Sequence, residues 1–288
     1  MSDIQSTPSE HRDSMLTATF CHIPGIGHAT EQNLWKRGLT SWNQLMQNPD
    51  AVTRVSAHDI ACFLHDSVLA LESDPCFFTR HLKTADVWRI FPQFRDSSVY
   101  LDIETTGLGE EAEITTIALY DGSEVSTYVN GQNLDDFIID IQRFKVIVTY
   151  NGISFDIPFI ERYFRTKLDH AHIDLRYILA RLGCRGGLKG CEKQMGINRG
   201  TLDGIDGSFA VILWREYERQ NNQAALETLL AYNIEDTVNL ERLMVEAYNR
   251  NITATPFADE LTLPYPVPPQ LLFQPDQELV AAIKRFVY

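Results

Sequence analysis

LDIETTG, Leu101 to Gly107, is the stretch whose reading decides the fold. It continues Ser98-Val99-Tyr100, a run of β-branched and aromatic character, and enters a turn at Gly107. Strand side chains alternate between faces. Asp102 and Glu104 therefore share one face, while Leu101 and Ile103 point into the opposite layer. Two like charges one strand repeat apart repel, and each raises the other's pKa. Taken alone, the pair reads either as two surface acids at a strand end or as the start of a cation site.

Outward from this stretch the period of the chain is that of strands. SSVYLDIE, EITTIALYD and EVSTYVN are three short runs joined by tight turns such as Asp121-Gly122, which predicts an antiparallel meander. KVIVTYNG, Lys145 to Gly152, is an unbroken apolar run that fits a buried parallel strand. Helical patterns follow at about 156–166, 174–182, 187–195, 207–220 and 222–248, with a short strand at His170–Ile173. The expected class is α/β: a mixed sheet of three antiparallel strands and then parallel strands, flanked by helices, over residues 95–250.

Two further acidic positions fall within this region. In YNGISFD, Asn151-Gly152 breaks the strand and Asp156 opens a helix, where a carboxylate suits the dipole. In LLAYNIEDTVNL, Tyr232 and Asp236 lie four residues apart and share a helix face. Each admits a plain reading, an N-terminal cap in the first case and the polar side of a helix in the second.

Together and in this order, the segments resemble the proofreading-type 3′–5′ exonucleases of the ribonuclease-H-like fold, in the branch named for four acids and a tyrosine (DEDDy). The D-x-E motif is Asp102 and Glu104. The N-x-x-x-F-D motif is Asn151 with Phe155-Asp156, spaced as in the proofreading domain of family B DNA polymerases. The Y-x-x-x-D motif is Tyr232 and Asp236. The secondary motifs HIDL, GLKGCEKQMGI and GIDG resemble the YprB-type ribonuclease-H-like proteins. The resemblance implies phosphodiester hydrolysis with two divalent ions, Mg²⁺ or Mn²⁺. Asp102 would bridge them, Glu104 and Asp236 would complete the site near the nucleophile, and Asp156 would hold the second ion. Tyr232, with an ordinary pKa near 10, would orient water rather than abstract its proton. Thr105, Asn151, Phe155 and Lys189 are the expected substrate contacts.

Before this region, residues 16–85 read as a small helical domain. FCHIPGIGHATEQNLWKRG resembles a helix-hairpin-helix element, in which Gly25 and Gly27 would present backbone N–H groups to a nucleic-acid phosphate. A Gly-rich turn between packed helices, or a protein contact, reads equally well. His170 and His172 are expected to be structural. After the sheet region, residues 251–288 carry six prolines and are expected to pack along its surface as an extension.

Composition sets the outer bounds. The 288 residues are 44% hydrophobic, enough for a buried core. Residues 1–15 are polar, without an apolar core or cleavage pattern, and read as a flexible tail rather than a signal peptide. No apolar run is long enough to span a bilayer, so no membrane partner is expected. Five cysteines without a C-x-x-C pair argue against a disulfide framework or structural zinc and favour a cytoplasmic setting. The net charge of −14 disfavours phosphate binding overall, yet residues 160–200 hold nine basic and four acidic side chains. Two functions follow. The first is a metal-dependent 3′–5′ exonuclease acting on single-stranded DNA or RNA. The second is a nucleic-acid-binding or adaptor protein on the same scaffold with little turnover.

Overall fold

The computed structural model describes residues 14–202, 205 and 207–287 of the chain. Five strands form one sheet: β1 (Ser98–Thr105), β2 (Ile114–Tyr120), β3 (Val125–Val129), β4 (Val146–Thr149) and β5 (Ala171–Asp174). Their spatial order is β3-β2-β1-β4-β5. The first three pair antiparallel, and β4 and β5 continue from β1 in parallel. This is the mixed sheet expected from the change of period at residue 97.

The alternation along β1 has the predicted consequence. Val99, Leu101 and Ile103 enter one buried cluster with Ile117, Phe137 and Phe159. Tyr100 enters the cluster on the opposite face, with Leu229, Leu240 and Tyr248 of the helix Gln223–Ile252. Asp102 and Glu104 continue the Tyr100 face. They therefore look toward that helix, which packs directly on β1 and β2.

Of the N-terminal helices His28–Lys36, Trp42–Gln47, Ala57–Ala70 and Pro75–His81, the last three are capped by the side chains of Ser41, Ser56 and Asp74, Ser41 forming a capping box with Gln44. Their apolar side chains are continuous with the core of the sheet region. Met15, Phe20, Trp35, Ile60 and Phe78 belong to the same apolar cluster as Tyr100 and Tyr248. Of the expected tail, residues 1–13 lie outside the described residues, while Met15 is fully buried rather than loose. The segment before Pro24 consists of turns, so the Pro24–Gly27 turn has a helix after it but none directly before it among the described residues.

The C-terminal extension differs from a purely irregular strap. All six prolines precede Gln277, which leaves Gln277–Val287 free to form a helix. Before it, the backbone N–H of Leu263 donates to Asn249 Oδ1 (2.9 Å) and that of Asp276 to Thr228 Oγ1 (3.0 Å). Leu263, Leu271 and Phe273 lie against the core. No helix among the described residues is long and apolar enough to cross a membrane.

Candidate active site

The two acids of β1 meet the long helix where the strand ends. Asp102, Glu104 and Asp236 each offer a carboxylate oxygen, and these atoms all lie within 4.8 Å of one another. Glu104 and Asp236 are buried, as is Tyr232, one turn before Asp236 on the same helix. Asn233 fixes the geometry between the layers: its Nδ2 donates to Asp102 Oδ2 (2.8 Å), and its Oδ1 accepts from Thr116 Oγ1 on β2 (3.1 Å).

Asp156 arrives from the other side through a constrained turn. Asn151 takes a left-handed backbone (φ 70°), and its Oδ1 accepts from Arg176. Gly152 follows. A Cβ there would stand 2.2 Å from Thr149 Oγ1, an overlap no side chain tolerates, while its own N–H donates to that oxygen (3.1 Å). Asp174, at the end of β5, accepts from the backbone N–H groups of Asn151 (2.7 Å), Ile153 (3.1 Å) and Arg176 (3.0 Å). The helix Asp156–Phe164 then begins with its first carboxylate buried.

Electrostatics set this group apart from ordinary surface acids. Burial, followed by the charges of Asp236, Glu104 and Asp156, holds the Asp102 carboxyl well above its usual range. Burial and then Asp236 do the same to Glu104. Burial raises Asp156 to about 7. Crowded carboxylates without enough cations between them are costly, and a divalent ion with a preference for hard oxygen ligands relieves that cost. The donor set of oxygens, without sulfur or imidazole, fits Mg²⁺ or Mn²⁺.

The other sequence candidates fall in different surroundings. Lys189 reaches the core of the site, donating to Tyr232 Oη and to the Ile205 carbonyl, with its ammonium 4.5 Å from the Tyr232 ring centre. Thr105 is buried and its hydroxyl donates to the Gly107 carbonyl (2.8 Å), a loop contact. Phe155 is half-buried, with its ring centre 5.7 Å from that of Phe159. Gly25 (φ 87°) and Gly27 lead into the helix His28–Lys36, whose first residue donates from His28 Nε2 to the Asp86 carboxylate (2.9 Å). Carboxylates thus already flank the end of that helix. His172 Nε2 contacts Thr149 Oγ1 (2.9 Å) and His170 Nε2 contacts the Ile141 carbonyl (3.1 Å), both structural contacts.

Four residues of the site were not singled out by the motif reading: Asn233, Asp174 within HIDL, Glu192 within GLKGCEKQMGI, and Arg199. Arg199 Nη2 pairs with Asp236, and Arg199 Nη1 donates to Glu192 Oε2 (2.9 Å) and Oε1 (3.1 Å). Asn233 sits inside the Tyr232–Asp236 motif, and its polar side chain on the sheet-facing side of a helix was the available signal. Arg199 follows no periodic pattern and carried none.

The sequence profile of the RNase_H superfamily matches residues 99–248. Among solved structures, the family B DNA polymerase from the hyperthermophilic archaeon Pyrobaculum calidifontis is similar to 54% of the chain at 17% identity, with a TM-score of 0.41. The chain spans 24% of that polymerase. No curated protein matches.

Proposed function

The chain belongs to the RNase_H superfamily, and from that premise we propose that it is a nuclease, specifically a metal-dependent 3′–5′ exonuclease of the four-acid-and-tyrosine branch. Its substrate is single-stranded DNA or RNA. The observation that carries this reading is the convergence of Asp102, Glu104 and Asp236 within 4.8 Å at a partly buried strand end, with Asp156 raised to about 7 near them. Two divalent ions bound there would supply an activated water and would neutralise charge on the attacking and leaving oxygens.

The chain's own residues do the rest. Asp102, Glu104, Asp156 and Asp236 would hold the ions. Asn233 keeps Asp102 aimed at Asp236 by bridging it to Thr116. Tyr232 serves as a positioning donor rather than a base, because burial and the neighbouring Asp236 and Glu104 charges push its phenol far above its ordinary pKa. Lys189 holds that phenol in place, and burial lowers its own pKa. Of the basic side chains of 160–200, Arg181 is taken up by Asp86 and Arg199 by Glu192 and Asp236, and in this reading others of the group contact the phosphate backbone. Five free thiols suit a reducing, cytoplasmic setting.

The test is digestion of a 5′-labelled single strand, as DNA and as RNA, with Mg²⁺ or Mn²⁺. Wild type is expected to shorten it stepwise from the 3′ end, and Asp102→Asn to slow this on the order of 10³-fold, the worth of several kcal/mol of charge stabilisation. Equal degradation by the two proteins, or none by wild type, defeats the proposal.

A further inference from the structure

We infer that Arg199 is a built-in rival of the divalent ion for Asp236, and so sets the metal concentration at which the site fills. The inference rests on the metal-dependent reading above.

Three observations carry it. Arg199 is only 5% exposed, so its charge is confined to the site rather than dissolved in solvent. Its two terminal nitrogens divide the work. Nη1 is anchored by both oxygens of Glu192, itself held by Asn239 Nδ2 (2.8 Å), while Nη2 pairs with Asp236 Oδ1. Third, the guanidinium leaves most of the acidic cluster uncompensated. Its hydrogen bonds reach Asp236 alone among the three converging carboxylates. Its remaining donor, Nε, is buried with no hydrogen-bond partner.

A carboxylate oxygen bound tightly by a guanidinium is a poorer ligand, since a cation must displace or share that partner. By linkage, whatever Arg199 gains from Asp236 is subtracted from metal affinity. Glu192 tunes the rivalry because it divides the same positive charge. Neutralising Glu192 strengthens the hold on Asp236, and removing Arg199 releases it. The anchor also keeps the displaced guanidinium beside the site, lining the cavity of about 290 Å³ that Lys189 and Lys193 share.

Calorimetric titration of the purified chain with Mn²⁺ tests this without any turnover. Arg199→Met is expected to bind Mn²⁺ at least about fivefold tighter than wild type, the lower end of ordinary coupling. Glu192→Gln is expected to bind more weakly. The single Arg199 variant leaves Glu192 buried without its partner and is at risk of not folding. The double variant Glu192→Gln with Arg199→Met removes one charge of each sign and carries the same expectation of tighter binding. Wild-type binding with unchanged or weaker binding in the Arg199 variants overturns this inference alone. Absence of binding in wild type and variants alike overturns the metal-dependent function as well. Loss of wild-type binding in Asp102→Asn marks the ion as seated at the acidic cluster, and its persistence there overturns the inference.

Discussion

Among the described residues, the buried acids of the N-terminal region and those at the end of the sheet behave in opposite ways. In the N-terminal region, Glu31 and Asp86 lie almost wholly out of solvent. Glu31 accepts from the backbone of Phe20 (2.7 Å) and Cys21 (3.0 Å) and from Arg89 Nη1 (3.0 Å) and Nη2 (2.9 Å). Asp86 is met by His28 and Arg181. Burial pushes Glu31 up, but the His28 hydrogen bond and the Arg89 charge outweigh it and bring the carboxyl down to about 2. At the sheet end, burial is joined by like charges instead, and Asp102, Glu104 and Asp156 all rise.

Geometry alone does not separate the two groups. Cys21, His28 and Asp86 also offer three ligand atoms within 4.8 Å. What differs is the local supply of protons and cations. Burial pushes the Cys21 thiol up to about 12, and the acids Glu31 and Asp86 are both matched by His28, Arg89 and Arg181, whereas at the sheet end Arg199 pairs with Asp236 but hydrogen-bonds neither Asp102 nor Glu104. One group is a closed ion-pair network that ties together segments far apart in the chain. The other is an open set of carboxylates whose balance calls for a cation from outside.

Removing a cation sharpens the contrast most. Arg89→Met strands Glu31 in the interior and is expected to destabilise the chain by about 3–5 kcal/mol, read from urea unfolding. Glu104→Gln, at the sheet end, is expected to hold or raise the stability of the metal-free chain, because it relieves repulsion. A comparable loss in both variants would break the distinction between the groups.

The next contrast is in pH dependence. The folded-state pKa of Asp156, about 7, exceeds its unfolded value of about 3.8. Between those values the folded chain holds a proton that the unfolded chain has lost, so stability falls as pH rises through this window. Asp156→Asn removes that slope. Its stability advantage over wild type is expected to grow between pH 4 and pH 7, on the order of 3 kcal/mol for the metal-free chain, and to vanish in saturating Mn²⁺. Glu31 has the opposite sign. Its contribution is complete above its unfolded pKa and is lost as pH falls toward about 2. Parallel unfolding curves for wild type and Asp156→Asn across pH 4–7 would show that Asp156 is not held in the raised state.

The smallest effect concerns the turn that delivers Asp156. Gly152→Ala forces a Cβ into Thr149 and is expected to cost about 1–3 kcal/mol, as overpacking does. It should also weaken Mn²⁺ binding, because the shift propagates four residues to Asp156. Unchanged metal affinity in a destabilised variant would mean that the turn supports the fold without positioning the carboxylate.

Much of this was legible in the chain. The alternation of Val99, Leu101 and Ile103 against Asp102 and Glu104 placed the acids on one face, and their strand partners emerged as expected. The i, i+4 spacing put Tyr232 and Asp236 on one side of a helix. The N-terminal region was less legible. Pro24–Gly27 read correctly as a turn, but nothing local announced that Glu31 would find Arg89 fifty-eight residues on, or that Met15 would be buried. Helical period shows that a face is apolar without showing which surface covers it, and here the sheet region supplies the cover.

The sequence by itself determined the mixed sheet, the face on which each acid of β1 lies, and the order of the acidic motifs, because side-chain period and turn chemistry act over a few residues. Only the tertiary structure decided which charges meet. Asn233 reaches Asp102 across the gap between helix and strand, Asp174 collects the turn before Asp156, and Arg199 closes on Asp236 from a loop. Those pairings depend on ångström distances between elements remote in sequence, and the Coulomb energy that makes one carboxylate a strong acid and another a weak one falls off with that same distance.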